Sequence, residues 1–193
     1  MAGSWWQPAL RCAGRMITVS APVPFDQLGT ADLCIDQVYQ SGRAGNSSDD
    51  ALHGLLGVGN QGGFRYQGSV RDDAVRVIVL YTTGQDPYWP DRIDLSTGTV
   101  TYFGDNKTPG RLLHDTPRQG NEVLRRIFDR AHGSAADRER VPPVLVFAKA
   151  GQYRDVVFRG LADRVHRACP LAKTWWRSGG SPTTAAFRTT VPS

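Results

Sequence analysis

Two apolar runs constrain this chain more than anything else in it. Ala74 to Gly84 reads AVRVIVLYTTG, a β-branched stretch ended by glycine, and it predicts a strand. Pro142 to Ala162 reads PPVLVFAKAGQYRDVVFRGLA, which predicts a hairpin: Val144–Phe147 paired with Val156–Leu161 across an AGQYR turn. Between these runs, DRIDLSTGTVTYFGD predicts a second hairpin. Ile93 and Leu95 lie on its first arm, Ser96-Thr97-Gly98 turns, and Val100 to Phe103 returns. Strands of this number and length require a sheet, and the rest of the chain must cover it.

Helical signals are fewer. GNEVLRRIFDRAHG places Val123, Leu124, Ile127 and Phe128 on one face, with Gly133 as the stop. RAGNSSDDALHGLLG predicts a short helix capped by Ser48 or Asp49 and closed by Gly57. DLCIDQVYQSG alternates weakly and predicts a strand through Leu33, Ile35 and Val38. SAADRER reads as a polar connector, and VGNQGGFRYQGS is rich in glycine and aromatics without a clear element. The pattern as a whole is α+β: a curved, mostly antiparallel sheet with one or two flanking helices.

With 193 residues the chain suits one domain plus short appendages. Residues 1–24 read as a poorly specified extension, 25–162 as the domain, and 163–193 as a poorly specified, partly disordered tail rich in Arg, Ser and Thr. The formal net charge of +5 suits a polyanionic partner. The three cysteines are widely spaced and form no CxxC, which supports neither a zinc ribbon nor a disulfide framework; free thiols fit a reducing cytoplasm. No apolar run reaches the ~18 residues of a membrane span.

Chemistry concentrates around the central hairpin. Pro90-Asp91 followed by Asp105-Asn106-Lys107 spells PD…DxK, in which Asp91 and Asp105 would hold Mg²⁺ while Lys107 stands beside the attacking water. Two short fragments at loose spacing arise often by chance, and in the bland alternative both acids simply make turns. The same hairpin carries Tyr81, Tyr88, Trp89, Tyr102 and Phe103 beside Asp91, Asp94, Asp105 and Asn106. Rings that sandwich a base and side chains that bond its edge are what an extruded nucleotide needs. Core filling accounts for any one ring; the cluster points further. His114-Asp115 fits a turn and a cap better than a catalytic pair, and GNQGG lacks the Lys-Ser/Thr of a phosphate loop.

Four segments in order carry a resemblance: GVGNQGGFR (Gly57–Arg65), VLYTTGQDPYWPDRIDLSTG (Val79–Gly98), TYFGDNKTPGRLLHDTPRQGNEVLRRIF (Thr101–Phe128) and VFAKAGQYRDVVFRGLA (Val146–Ala162). Over roughly residues 30–162 the chain resembles the N-terminal recognition domain of AspBHI-type modification-dependent restriction endonucleases. The resemblance implies an SRA-like fold, a crescent sheet with flanking helices, that flips 5-methylcytosine out of duplex DNA. It implies no catalytic residue and no cofactor on this segment, because cleavage in that family belongs to a separate C-terminal nuclease domain.

Carried onto matching positions, Trp89 and Tyr102 would stack on the flipped base, and Asp91 or Asp105 would accept its amino proton. Tyr81 and Asn106 would complete the pocket. Asn60 and Gln61 in the glycine loop would probe the groove or enter the duplex, while Arg65, Lys107, Arg111, Arg118 and Lys149 would meet the DNA backbone. The implied partners are double-stranded DNA bearing a modified cytosine and a separate nuclease subunit. The alternative is the Mg²⁺-dependent nuclease built on Asp91, Asp105 and Lys107. The resemblance fades after Ala162, and 193 residues leave no room for the nuclease domain. A free-standing reader and a truncated or frame-shifted gene product both fit that expectation.

Overall fold

In the computed structural model of the chain, which describes residues 21–60, 62–87, 90–103, 118–163 and 185–190, the two apolar runs form the middle of an eight-stranded sheet. The strands are β1 (Val38–Tyr39), β2 (Phe64–Ser69), β3 (Ala74–Thr82), β4 (Arg92–Asp94), β5 (Thr99–Tyr102), β6 (Val144–Lys149), β7 (Val156–Asp163) and β8 (Ala185–Thr190). Their order is β2-β3-β6-β7-β8-β5-β4, with β1 pairing on β7. Only β3 and β6 run parallel; the other pairs are antiparallel. The α-helices are α1 (Ala51–Leu56), α2 (Gly120–Ala131) and α3 (Ala135–Glu139).

Strands β3 and β6 are apolar at consecutive positions because both of their faces are covered, as expected for a parallel pair inside a sheet. Ile78, Leu80, Val144 and Val146 face one core with Val123, Leu124 and Ile127 of α2. Their neighbours Val79, Leu145 and Phe147 face a second core with Leu28, Tyr39, Ala51 and Leu52. Alternation along a strand therefore distributes one sequence run between two hydrophobic layers. The sheet also curls. Phe64 of β2 and Val100 and Tyr102 of β5 come from opposite reaches of the strand order, yet they share the first core.

Both predicted hairpins form with the expected partners, including Ile93↔Val100 and Leu145↔Leu161. Leu95 belongs to the turn rather than the arm and is 66% exposed; Asp94 Oδ1 there accepts from the Ser96 and Thr97 amides. Helix α2 buries Val123, Leu124 and Ile127 as its periodicity predicts. Helix α1 is capped by Asp50, whose Oδ1 accepts from His53 N–H, while Asn46 caps a preceding 3₁₀ turn, Ser47–Asp49.

The expected strand through Leu33 and Ile35 shrinks to β1. Asp36 lies at φ 62°, which interrupts extended backbone. Leu33 and Ile35 instead pack on the second core from a loop, and the Tyr39 hydroxyl ties that loop down by accepting from Cys34 N–H and donating to Asp32 O.

Three elements lie where no helix or strand was expected. Strand β2 pairs with β3 through a bulge at Gln67/Gly68, where Gly68 takes φ 105°. Helix α3 replaces the polar connector, closed by a reciprocal cap between Ser134 and Asp137. In the tail, β8 bridges β5 and the end of β7, so residues 185–190 are part of the sheet rather than an appendage.

Candidate nucleic-acid interface

The ends of β3 and β6 and the starts of β2 and β7 lie together, as the registers Phe64↔Leu80, Thr82↔Ala148 and Lys149↔Val156 require. Two connections meet at this edge: the glycine loop between α1 and β2, and the β6–β7 turn. The carbonyls on both sides of Gln61 are held by the protein. Arg65 Nη1 donates to Gly59 O at 2.9 Å, Arg154 Nη1 to Asn60 O at 3.3 Å, and Arg65 Nε to Gly62 O at 2.9 Å. Tyr81 N–H donates to Gly63 O at 2.7 Å. No side chain fits at Gly63, because a Cβ there would lie 2.7 Å from Tyr81 O and 3.1 Å from the Tyr102 hydroxyl.

One buried carboxylate organises these cations. Asp50 Oδ1 accepts from Arg65 Nη1 at 2.6 Å, with both side chains 5% exposed, and Arg154 lies 3.7 Å from Oδ2. Asp50 therefore caps α1 and anchors the loop at once. The Arg65 guanidinium also lies 5.6 Å from the Tyr81 ring centroid. Burial, ahead of the opposing pull of Arg65, raises the Tyr81 hydroxyl above its ordinary pKa, so the ring stands there neutral. Arg118 reaches the loop from the other side, its Nη1 3.3 Å from where a Cβ on Gly62 would be. Three arginines and one aspartate around a glycine-rich loop leave the edge positively charged and its backbone fixed, a combination suited to close approach by an anionic polymer.

Several sequence-predicted residues have different work. Arg65 is buried against Asp50 and the loop carbonyls, so it shapes the loop instead of meeting a phosphate. Tyr102 is 3% exposed within the first core, so its ring is not an open stacking platform; only its hydroxyl edge nears the glycine loop. Asp91 Oδ1 accepts from Phe103 N–H at 2.8 Å and thereby braces the β4–β5 hairpin. Lys149 donates to Tyr153 O at 2.7 Å within the β6–β7 turn. Tyr81, Asn60 and Arg118 do converge on the loop. Gln61, Trp89, Asp105, Asn106, Lys107 and Arg111 lie outside the described residues, as do Tyr88, His114 and Asp115. Among the described residues no trio of His, Cys, Asp or Glu is placed to hold a metal ion, and no helix among them is long and apolar enough to cross a membrane.

Sequence reasoning passed over Asp50, Arg154 and Arg43. Arg154 belongs to the AGQYR turn, and a basic residue at a hairpin tip was a readable signal. The expected caps were Ser48 or Asp49, one or two residues short of Asp50, and nothing in the spelling of Asp50 announces an ion pair with Arg65.

The family model described as "Restriction endonuclease AspBHI N-terminal" matches residues 33–191, and the chain belongs to that family. The match extends through β8, beyond the point where resemblance was legible by eye.

Among solved structures the chain is similar to the DNA recognition domain of the cytosine modification-dependent restriction endonuclease LpnPI. The two share 39% identity over 88% of this chain and 78% of that one, with a TM-score of 0.75. It is equally similar to the DNA modification-dependent restriction endonuclease AspBHI: 39% identity, 89% of this chain, TM-score 0.75, but only 46% of that protein's length. The MspJI restriction endonuclease, solved with a 27-mer oligonucleotide, shares the fold at 22% identity and a TM-score of 0.53 over 81% of this chain and 42% of that one. No curated protein matches the chain.

Proposed function

We propose that this chain is a double-stranded DNA-binding module that recognises a modified cytosine, 5-methylcytosine first among the candidates, by turning the base out of the helix. Cleavage would belong to a nuclease on another domain or subunit. The observation that supports this most is the 39% identity to a cytosine modification-dependent recognition domain over 88% of the chain. The fixed glycine loop adds a physical reason. The carbonyls of Asn60 and Gly62 are pinned on either side of the position from which Gln61 would enter a duplex, while Arg118 and Arg154 supply salt-sensitive attraction. With Tyr102 packed in the core, Trp89 is the candidate to stack on the extruded base, and Asp105 and Asn106 to bond its edge.

The nuclease reading through Asp91, Asp105, Lys107 and Mg²⁺ is not favoured. The matched family segment is the N-terminal part of its endonucleases, and the relative aligned over most of its own length is a recognition domain. The test is a fluorescence-anisotropy titration of matched duplexes at ~150 mM salt, since affinity without stated salt has no meaning for such a protein. A methyl group in an apolar slot discriminates by ~10-fold to ~200-fold, so tighter binding of the methylated duplex by at least the lower figure is expected. Equal affinity for both duplexes refutes recognition of 5-methylcytosine and leaves a backbone binder or a reader of another modification.

A further inference from the structure

The loops of the cationic edge leave one aromatic ring unaccounted for. Tyr153, at the tip of the β6–β7 turn, is 58% exposed, and its backbone takes φ 51°. Left-handed backbone is costly for a bulky residue, and glycine or asparagine is the usual occupant of such a turn position. The ring is nonetheless held in place. Arg43 lies over it with the guanidinium carbon 4.6 Å from the centroid, and Arg43 is itself fixed by a two-pronged bond to Asp155, at 2.7 Å to Oδ1 and 3.0 Å to Oδ2.

Ser41 completes the fixture. Its N–H and Oγ donate to Asp155 Oδ1 at 2.8 and 2.9 Å, and its Oγ accepts from the Arg154 amide at 3.1 Å. Burial pushes Asp155 upward, but the hydrogen bonds from Arg43 and Ser41 together outweigh it and hold the carboxyl below its ordinary range. The fixture is thus ionised at neutral pH, and Arg43 spends its charge on Asp155. The other cations at this turn are Lys149, which donates to Tyr153 O, and Arg154, which shares Asp50 with Arg65 at 3.7 Å and keeps its side chain 45% exposed.

We propose that the β6–β7 turn is a second contact with duplex DNA. In it the Tyr153 ring lies against the sugar–phosphate backbone, and Lys149 and Arg154 neutralise phosphates beside it. The proposal rests on the DNA-binding reading above. The occupant is argued from continuity: Arg154 bonds Asn60 O of the glycine loop, so a duplex lying on that loop reaches the turn. It is also argued from charge, because the exposed cations here suit a polyanion. A pre-ordered ring whose backbone position favours glycine, beside two cations, suits strand contact without base reading.

The test is Tyr153→Gly, with the full chain titrated against methylated and unmethylated duplexes. The variant relieves the left-handed backbone, so its melting temperature should equal or exceed that of the wild type. Its Kd should rise roughly fivefold to tenfold on both duplexes, with the ratio between them preserved. Lys149→Gln should reduce the slope of log K against log salt by about 1. An unchanged Kd for Tyr153→Gly overturns the proposal. Weakening confined to the methylated duplex also overturns it, because Tyr153 would then act at the base. If the wild type binds both duplexes equally, recognition of 5-methylcytosine fails while the effect of the turn is still read on the shared affinity. Wild-type binding to neither duplex sinks both.

Discussion

Two arginine–aspartate pairs brace the same edge of this sheet, and they are built differently. Asp50–Arg65 is sealed, each side chain 5% exposed, with Nη1 and Nε of the arginine also donating to the loop carbonyls of Gly59 and Gly62. Asp155–Arg43 is open on one side: the acid is 12% exposed and the arginine 45%. The sealed pair fixes backbone. The open pair fixes a side chain, because Arg43 ends against the ring of Tyr153. An ion pair at a binding edge can therefore rigidify a loop or aim an exposed group, and the burial of its arginine decides which.

The sharpest way to break that comparison is to delete each arginine in turn. Arg65→Ala leaves buried Asp50 with only the more distant Arg154 as its cation and strips two donors from the loop. A loss of about 3–5 kcal/mol is expected, read by urea unfolding. Arg43→Ala leaves Asp155 with both Ser41 bonds and access to water, so a clearly smaller loss is expected in the same measurement. Equal losses would mean that the two pairs are energetically alike and that the sealed–open distinction carries no weight.

A smaller effect comes from Glu122, in the first turn of α2, as a reference acid away from the loops. Hydrogen bonds from Arg125, opposed by burial and helped by Arg126, lower its carboxyl from 4.5 to about 2. A depressed folded-state value contributes stability that is fully present above about 4.5 and is lost as pH falls toward about 2. Glu122→Gln should therefore cost stability at pH 7, and the gap to the wild type should close in acid unfolding between those limits. A gap that stays constant across that range would show that the arginine bonds do not hold in solution.

Much of the fold was legible because its strongest signals are local. The β-branched run of β3, the β6–β7 hairpin and the α2 stripe each report burial in their own spelling; all three formed, and α2 turned its expected face inward. What escaped was set by distant partners. Strand β2 reads as a glycine-rich loop because Arg65 occupies a buried position that only Asp50 makes tolerable. Strand β8 lies in a segment with little apolar content, and it is a strand because β5 and β7 both offer it edges. At the site, Tyr81 and the glycine loop were readable as candidates, and they meet through the Tyr81 N–H bond to Gly63 O. The depth of Tyr102 was not, since an aromatic at a strand end is spelled the same whether it faces outward or packs inward.

Extrusion of a modified base at this edge, as proposed above, can be read optically. A duplex carrying 5-methylcytosine with 2-aminopurine as its immediate neighbour reports unstacking as a rise in fluorescence when the chain is added. A saturable rise is expected on the methylated duplex, a much smaller one on its unmethylated twin, and loss of the rise in Gln61→Ala or Trp89→Ala. Tight binding with no change in fluorescence on the methylated duplex would contradict it, leaving a backbone binder that reads the modification, if at all, without extruding the base.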